Sequence, residues 1–132
     1  GPQGAEEGLV LQQEGKNVTV VEMRDQICLG APYLHYTAVN KEYLKEGAPK
    51  ALVNSKCISI FSEGVLIENV QTGEQTLCPA DTVLLAIGMR ADLDEVEAYR
   101  DCALEFRKIG DCNKPATMTE AVRLGYDVAF GL

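Results

Sequence analysis

Tryptophan is absent, histidine occurs once, and aromatic residues make up only 6% of the 132 positions. A single histidine excludes centres built on paired imidazoles. His35 itself falls in a polar stretch of an expected helix with no serine, cysteine or carboxylate at a recognisable spacing, and reads as a surface residue. No apolar run approaches the roughly 20 residues that cross a bilayer, so no membrane partner is expected. There is no signal-peptide pattern and no initiator methionine, which fits an internal segment. Basic residues are scarce relative to acids, 12 against 20, for a net charge of −8. Without a basic stripe the chain is not expected to bind nucleic acid.

Paired cysteine motifs are also missing. The five cysteines, Cys28, Cys57, Cys78, Cys102 and Cys112, are odd in number and show no C-x-x-C spacing. A zinc knuckle and a redox dithiol are therefore not expected, and neither is a metal site. Reduced thiols of a cytoplasmic protein, most of them small buried hydrophobes, are the simplest reading. No acid–base pair stands out, and no catalytic residue is assigned. The acids of Asp92 to Glu97 read as a solvated face or a helix start.

What is present is the composition of an ordinary globular chain, 46% hydrophobic and 24% charged, of about one domain that can bury roughly two-thirds of its unfolded surface. Ala5 to Glu14 has helical spacing and ends at Gly15, a C-cap. Val18 to Val21 is a β-branched run of the kind found in parallel strands covered on both faces. Pro32 opens a second helix to about Glu46, and Ala51 to Val53 supplies the next strand. Lys56 to Phe61, Val65 to Val70 and Gln75 to Cys78, separated by turns at Glu63-Gly64 and Thr72-Gly73, form a three-stranded antiparallel meander. Thr82 to Ile87 reads as a second buried strand ending at Gly88, where backbone can pass close to a ligand. Pro115 opens a last helix through about Phe130.

The order of elements gives α/β, a Rossmann-like three-layer nucleotide-binding domain with a β-meander, its first strand missing from the sequence. Gly1 and Gly4 fit the second and third glycines of a G-x-G-x-x-G fingerprint, in which bare backbone approaches a pyrophosphate at a helix N-terminus. Glu22 ends the following strand, where an acid accepts hydrogen bonds from adenosine ribose hydroxyls. A carboxylate there repels a 2′-phosphate and favours NADH over NADPH, an effect that Arg24 partly offsets. Each signal has a plainer reading: glycine pairs precede many helices, Glu22 also reads as a solvated strand end, and Asp111, whose carboxylate can accept two polyol hydroxyls, reads on its own as a turn-former or cap.

Taken in order, Gly1-Pro2-Gln3-Gly4-Ala5-Glu6-Glu7-Gly8, Lys16 to Met23, Asp81 to Gly88 and Ile109-Gly110-Asp111-Cys112 resemble the pyridine-nucleotide and flavin domains of two-dinucleotide-fold flavoproteins. Gly110 to Pro115, leading to Glu120 to Asp127, is most similar to the C-terminal part of the 2,4-dienoyl-CoA reductase and enoate reductase branch of the old yellow enzyme family. The resemblance implies an oxidoreductase in which residues 1–103 bind NAD(H) and residues 104–132 complete an FAD-binding domain. Gly1, Gly4, Glu22 and Arg24 would serve the nicotinamide dinucleotide, with Gly88 where the chain leaves that site. Asp111 would touch the FAD ribityl chain, and the helix start from Ala116 to Thr119, with Thr117 and Met118, would approach the flavin. FMN and an iron–sulfur cluster would belong to a barrel outside these residues. The partners implied are the dinucleotide and the remainder of the parent enzyme, with self-association of the isolated chain where the first strand is missing. An NADH oxidase or disulfide-reductase relative, or a non-catalytic nucleotide-binding module, are the alternatives.

Overall fold

Pro2 occupies the first position of helix α1 (Pro2–Gln13), where its missing N–H would have had no partner in any case. In the computed structural model, which describes residues 1–131, α1 closes in a Schellman motif. Gly15 N–H donates to the Gln12 carbonyl and Lys16 N–H to that of Leu11, each at 3.0 Å. The chain then enters strand β1 (Thr19–Val21), crosses through helix α2 (Tyr33–Tyr43) and returns as strand β2 (Lys50–Leu52). β1 and β2 are parallel, with Val20 opposite Ala51. Lys50 N–H to Val18 O and Glu22 N–H to Leu52 O extend the ladder at both ends. This is the β-α-β unit expected from the sequence, with α1 leading into it.

Strands β3 (Ser55–Phe61), β4 (Gly64–Asn69) and β5 (Gln75–Pro79) form the expected antiparallel meander with β4 in the middle. Val65 and Ile67 of β4 are its buried apolar residues. The turn into β5 is fixed by Asn69, whose side-chain oxygen accepts from the N–H groups of Gln71 and Thr72. The other core lies between the helices and the loop after β1: Ala5, Ile27, Cys28 and Val39 are buried, with Leu9, Tyr36 and Tyr43 packed around them.

Three expectations are corrected. Thr82 to Ile87 is an irregular, unpaired segment instead of a buried strand, with Ile87 86% exposed. A strand needs a hydrogen-bonded neighbour, and in the doubly wound order that neighbour is the first strand, which these residues do not supply. For the same reason β1 is not covered on both faces: Thr19 is exposed and Val20 and Val21 only half-buried, because its sheet has two strands. The cysteines are mostly not buried either. Cys28 is, Cys78 is half-buried, and Cys57, Cys102 and Cys112 are exposed, lying on open sheet faces and short turns with no covering layer.

The residues form two compact units, Gly1–Ile87 and Gly88–Leu132. In the second, helix α3 (Leu93–Glu97) is capped by Asp92, whose carboxylate accepts from Glu95 N–H. Single 3-10 turns follow at Arg100–Cys102 and Gly110–Cys112, and helix α4 (Met118–Phe130) ends the unit. Hydrogen bonds from Arg100 and Lys108, both at 2.6 Å, hold the Glu97 carboxyl down at about 2. That clamp joins residues on either side of Ala103. Compactness therefore does not mark the functional division expected between residues 103 and 104. Among the described residues no helix is long and apolar enough to cross a membrane.

Candidate functional site

Glu22 is 8% exposed and is fixed from the backbone outward. Its N–H donates to Leu52 O, and its carbonyl accepts from Ser55 N–H at 3.0 Å. The side chain is turned toward the start of α1. Oε2 accepts from the Gly1 ammonium at 2.6 Å, while Oε1 accepts from Arg24 N–H at 3.0 Å and Arg24 Nε at 3.3 Å. Burial alone would push this carboxyl up, but the hydrogen bonds from Gly1 and Arg24, with the Gly1 charge, outweigh it and bring the group down to about 2. It is a carboxylate at any physiological pH. Gly1, Glu22 and Arg24, three of the residues singled out in the sequence, thus meet at one point.

Arg24 is less available than the sequence suggests. Its Nε is on Glu22 and its Nη2 donates to Leu29 O at 3.0 Å, so the guanidinium straps the loop after β1 instead of projecting free. Gly1 has open space where a Cβ would stand, whereas a Cβ on Gly4 would come within 2.9 Å of Ala86 Cβ. Gly4 therefore acts as a packing glycine, letting α1 close onto the segment before Gly88. Of the first four N–H positions of α1, Gly1 serves Glu22 and Pro2 has no N–H, which leaves Gln3 and Gly4 as the donors available to an anion.

In the second unit, Asp111 lies exposed in the 3-10 turn, and its Oδ1 accepts from Ala116 N–H at 3.3 Å. Thr117 is the N-cap of α4, accepting from Glu120 N–H at 3.3 Å. Met118, the first residue of α4, is 84% exposed. Asp111 and Thr117 thus shape the same helix entry; Gly88 has φ +96°, with open space where a Cβ would stand.

Two contacts escaped the sequence. His35 is exposed, as expected, yet its Nε2 lies 2.6 Å from Glu6 Oε1 across 29 positions. The Tyr43 hydroxyl donates to Ala5 O at 2.8 Å across 38. Both join α1 to α2, and no spacing rule within either helix could reveal a contact made between them.

One family model, described as pyridine nucleotide-disulphide oxidoreductase, matches residues 1–123. The chain is 32% identical over 131 residues to a cinnamate reductase of Clostridium sporogenes, covering 96% of this chain and 19% of that protein. It is 32% identical over 124 residues to a bilirubin reductase of Mediterraneibacter gnavus, covering 93% and 19%. Among solved structures, a 2-naphthoyl-CoA reductase in complex with 2-naphthoyl-CoA superposes with a TM-score of 0.78 at 28% identity, over 92% of this chain and 18% of that one. The chain therefore spans about a fifth of the length of the proteins it matches.

Proposed function

This chain belongs to the pyridine nucleotide-disulphide oxidoreductase family, and on that premise we propose that it supplies the NAD(H)-binding part and a C-terminal flavin segment of a reductase that passes hydride from NADH to FAD. The observation that carries this reading is Glu22, a buried carboxylate at the end of β1, beside a helix α1 whose Gly4 must be bare to pack. A dinucleotide has the matching parts: a pyrophosphate for the N–H groups of Gln3 and Gly4, and a ribose diol for Glu22. These residues fit the cofactor. Gly1 gives approach, Gly4 lets the helix pack closely, and Glu22 accepts the ribose hydroxyls and repels a 2′-phosphate. Arg24 donates to Glu22 and to Leu29 O, closing the loop after β1.

In this reading residues 1–103 serve NAD(H) and residues 104–132 serve FAD. Asp111 offers an exposed carboxylate to the ribityl hydroxyls, and Thr117 and Met118 set the first turn of α4 toward the flavin, with Gly88 as the open exit from the nucleotide site. The bound nicotinamide and flavin supply the redox chemistry, and this chain's residues bind and orient them. FMN and an iron–sulfur cluster would reside in a barrel elsewhere in the intact protein, where an activated double bond is reduced. The similarity to a cinnamate reductase and to a 2-naphthoyl-CoA reductase supports that class of substrate. Five free cysteines suit a reducing, cytoplasmic location.

The test is anaerobic reduction of the intact polypeptide that carries these residues. Bound flavin should bleach on adding NADH, and the protein should contain FAD. A colourless intact protein, or one whose flavin ignores NADH, would contradict the assignment.

A further inference from the structure

The hydroxyl of Tyr43, in the last turn of α2, donates to the carbonyl of Ala5, near the start of α1, at 2.8 Å. Gly8 lies beneath this contact. A Cβ there would stand 2.8 Å from the Tyr43 oxygen and 2.8 Å from Val20 Cγ2, so residue 8 must be bare for the hydroxyl to reach Ala5. α1, α2 and β1 meet at this place. Apolar packing between α1 and α2 is non-directional and tolerates some sliding. A hydrogen bond has a narrow range of length and angle, and fixes the height of one helix against the other. Burial, with the neighbouring Cys28, pushes the Tyr43 hydroxyl up to about 12, so it remains a donor throughout the physiological range.

The height of α1 matters because its first turn has so few groups to offer. Pro2 removes one N–H, leaving those of Gln3 and Gly4 for a phosphate, while the backbone of Glu22 is fixed by its bonds to Leu52 and Ser55. One ligand can engage both only if α1 and the end of β1 keep their relative position, and misplacement on the scale of an ångström is costly to binding and catalysis. We propose that Tyr43 is a positioning residue for the dinucleotide, holding the first turn of α1 through Ala5 at the height where its N–H groups and the Glu22 carboxylate engage one molecule together. This inference rests on the nucleotide reading given above.

The experiment is rapid mixing of NADH with the oxidised, intact flavoprotein, comparing wild type with Tyr43→Phe, which deletes one oxygen. The NADH concentration for half-maximal flavin reduction should rise roughly three- to tenfold, the range of one hydrogen bond. The limiting rate, the Michaelis constant for the electron acceptor and the melting temperature should stay close to wild type. Gly8→Ala should shift NADH in the same direction, and by less in the Tyr43→Phe background, where the hydroxyl no longer opposes the new methyl. If Tyr43→Phe does not fold, Gly8→Ala carries the same comparison. A lower melting temperature with unchanged NADH dependence would overturn the positioning role and leave the nucleotide site standing. Wild-type flavin that NADH does not reduce would overturn both.

Discussion

Gly1 N and Glu22 Oε2 stand 2.6 Å apart although 21 positions separate them. The contact exists because α1 folds back along the β1–β2 sheet, returning the start of the helix to the end of the strand that follows it. In the proposed reading a ribose diol takes the place of the Gly1 nitrogen on the Glu22 carboxylate. Both residues were singled out in the sequence, and the fold puts them in contact.

The depressed Glu22 carboxyl makes a pH prediction. It lies at about 2 instead of 4.5, so its contribution to stability is fully present above about 4.5 and is lost as the pH falls toward 2. The contribution is about 3 kcal/mol at most. Urea unfolding at pH 6 should separate wild type from Glu22→Gln, and the separation should shrink at pH 3. An equal gap at both values would show that the carboxylate is not held as described.

Acetylating the Gly1 nitrogen gives a second prediction. The ammonium both donates to Glu22 and attracts it by charge, and an amide keeps only a weaker donor. The Glu22 carboxyl should therefore rise on acetylation, read from its side-chain carbon shift in an NMR titration. No change would mean that Arg24 alone sets the group.

The isolated 132-residue chain should carry no FAD and have no reductase activity. Only the Asp111 and α4 part of the proposed flavin site is present, so most of the cofactor's contact surface is absent. A purified sample should be colourless. A yellow sample with one flavin per chain would refute this.

The outer edge of β1 has no partner strand among the described residues, and Leu84, Leu85 and Ile87 are exposed. Open edges and apolar surface favour pairing between chains. Light scattering at micromolar concentration should give a mass above 14.3 kDa. A monodisperse, cooperatively melting monomer would show that the edge is tolerated.

Local chemistry was legible in the sequence wherever neighbours in the chain decide it. The meander followed from the turns at Gly64 and Gly73, and the end of α1 from Gly15. Glu22 could be placed at a strand end because Val18 to Val21 is so uniformly β-branched. Thr82 to Ile87 misled for a physical reason: its composition is that of a buried strand, but pairing depends on a neighbour that composition does not reveal. Arg24 was legible as a charge near Glu22, whereas its bond to Leu29 O depends on how the loop closes. The links from Tyr43 to Ala5 and from His35 to Glu6 depend on the packing of two helices, and neither helix carries that information alone.

Cofactor choice by the intact protein is the most direct measurement of the role given to Glu22. Michaelis constants for NADH and NADPH should favour NADH in wild type. Glu22→Ala should weaken NADH by ~1.5–3 kcal/mol, roughly ten- to a hundredfold, because a charged hydrogen-bond acceptor is lost. NADPH should be unaffected or bound better, since the repelling carboxylate is gone and Arg24 is released toward the phosphate. Equal constants for the two cofactors in wild type, unchanged in Glu22→Ala, would contradict the placement of the ribose at Glu22.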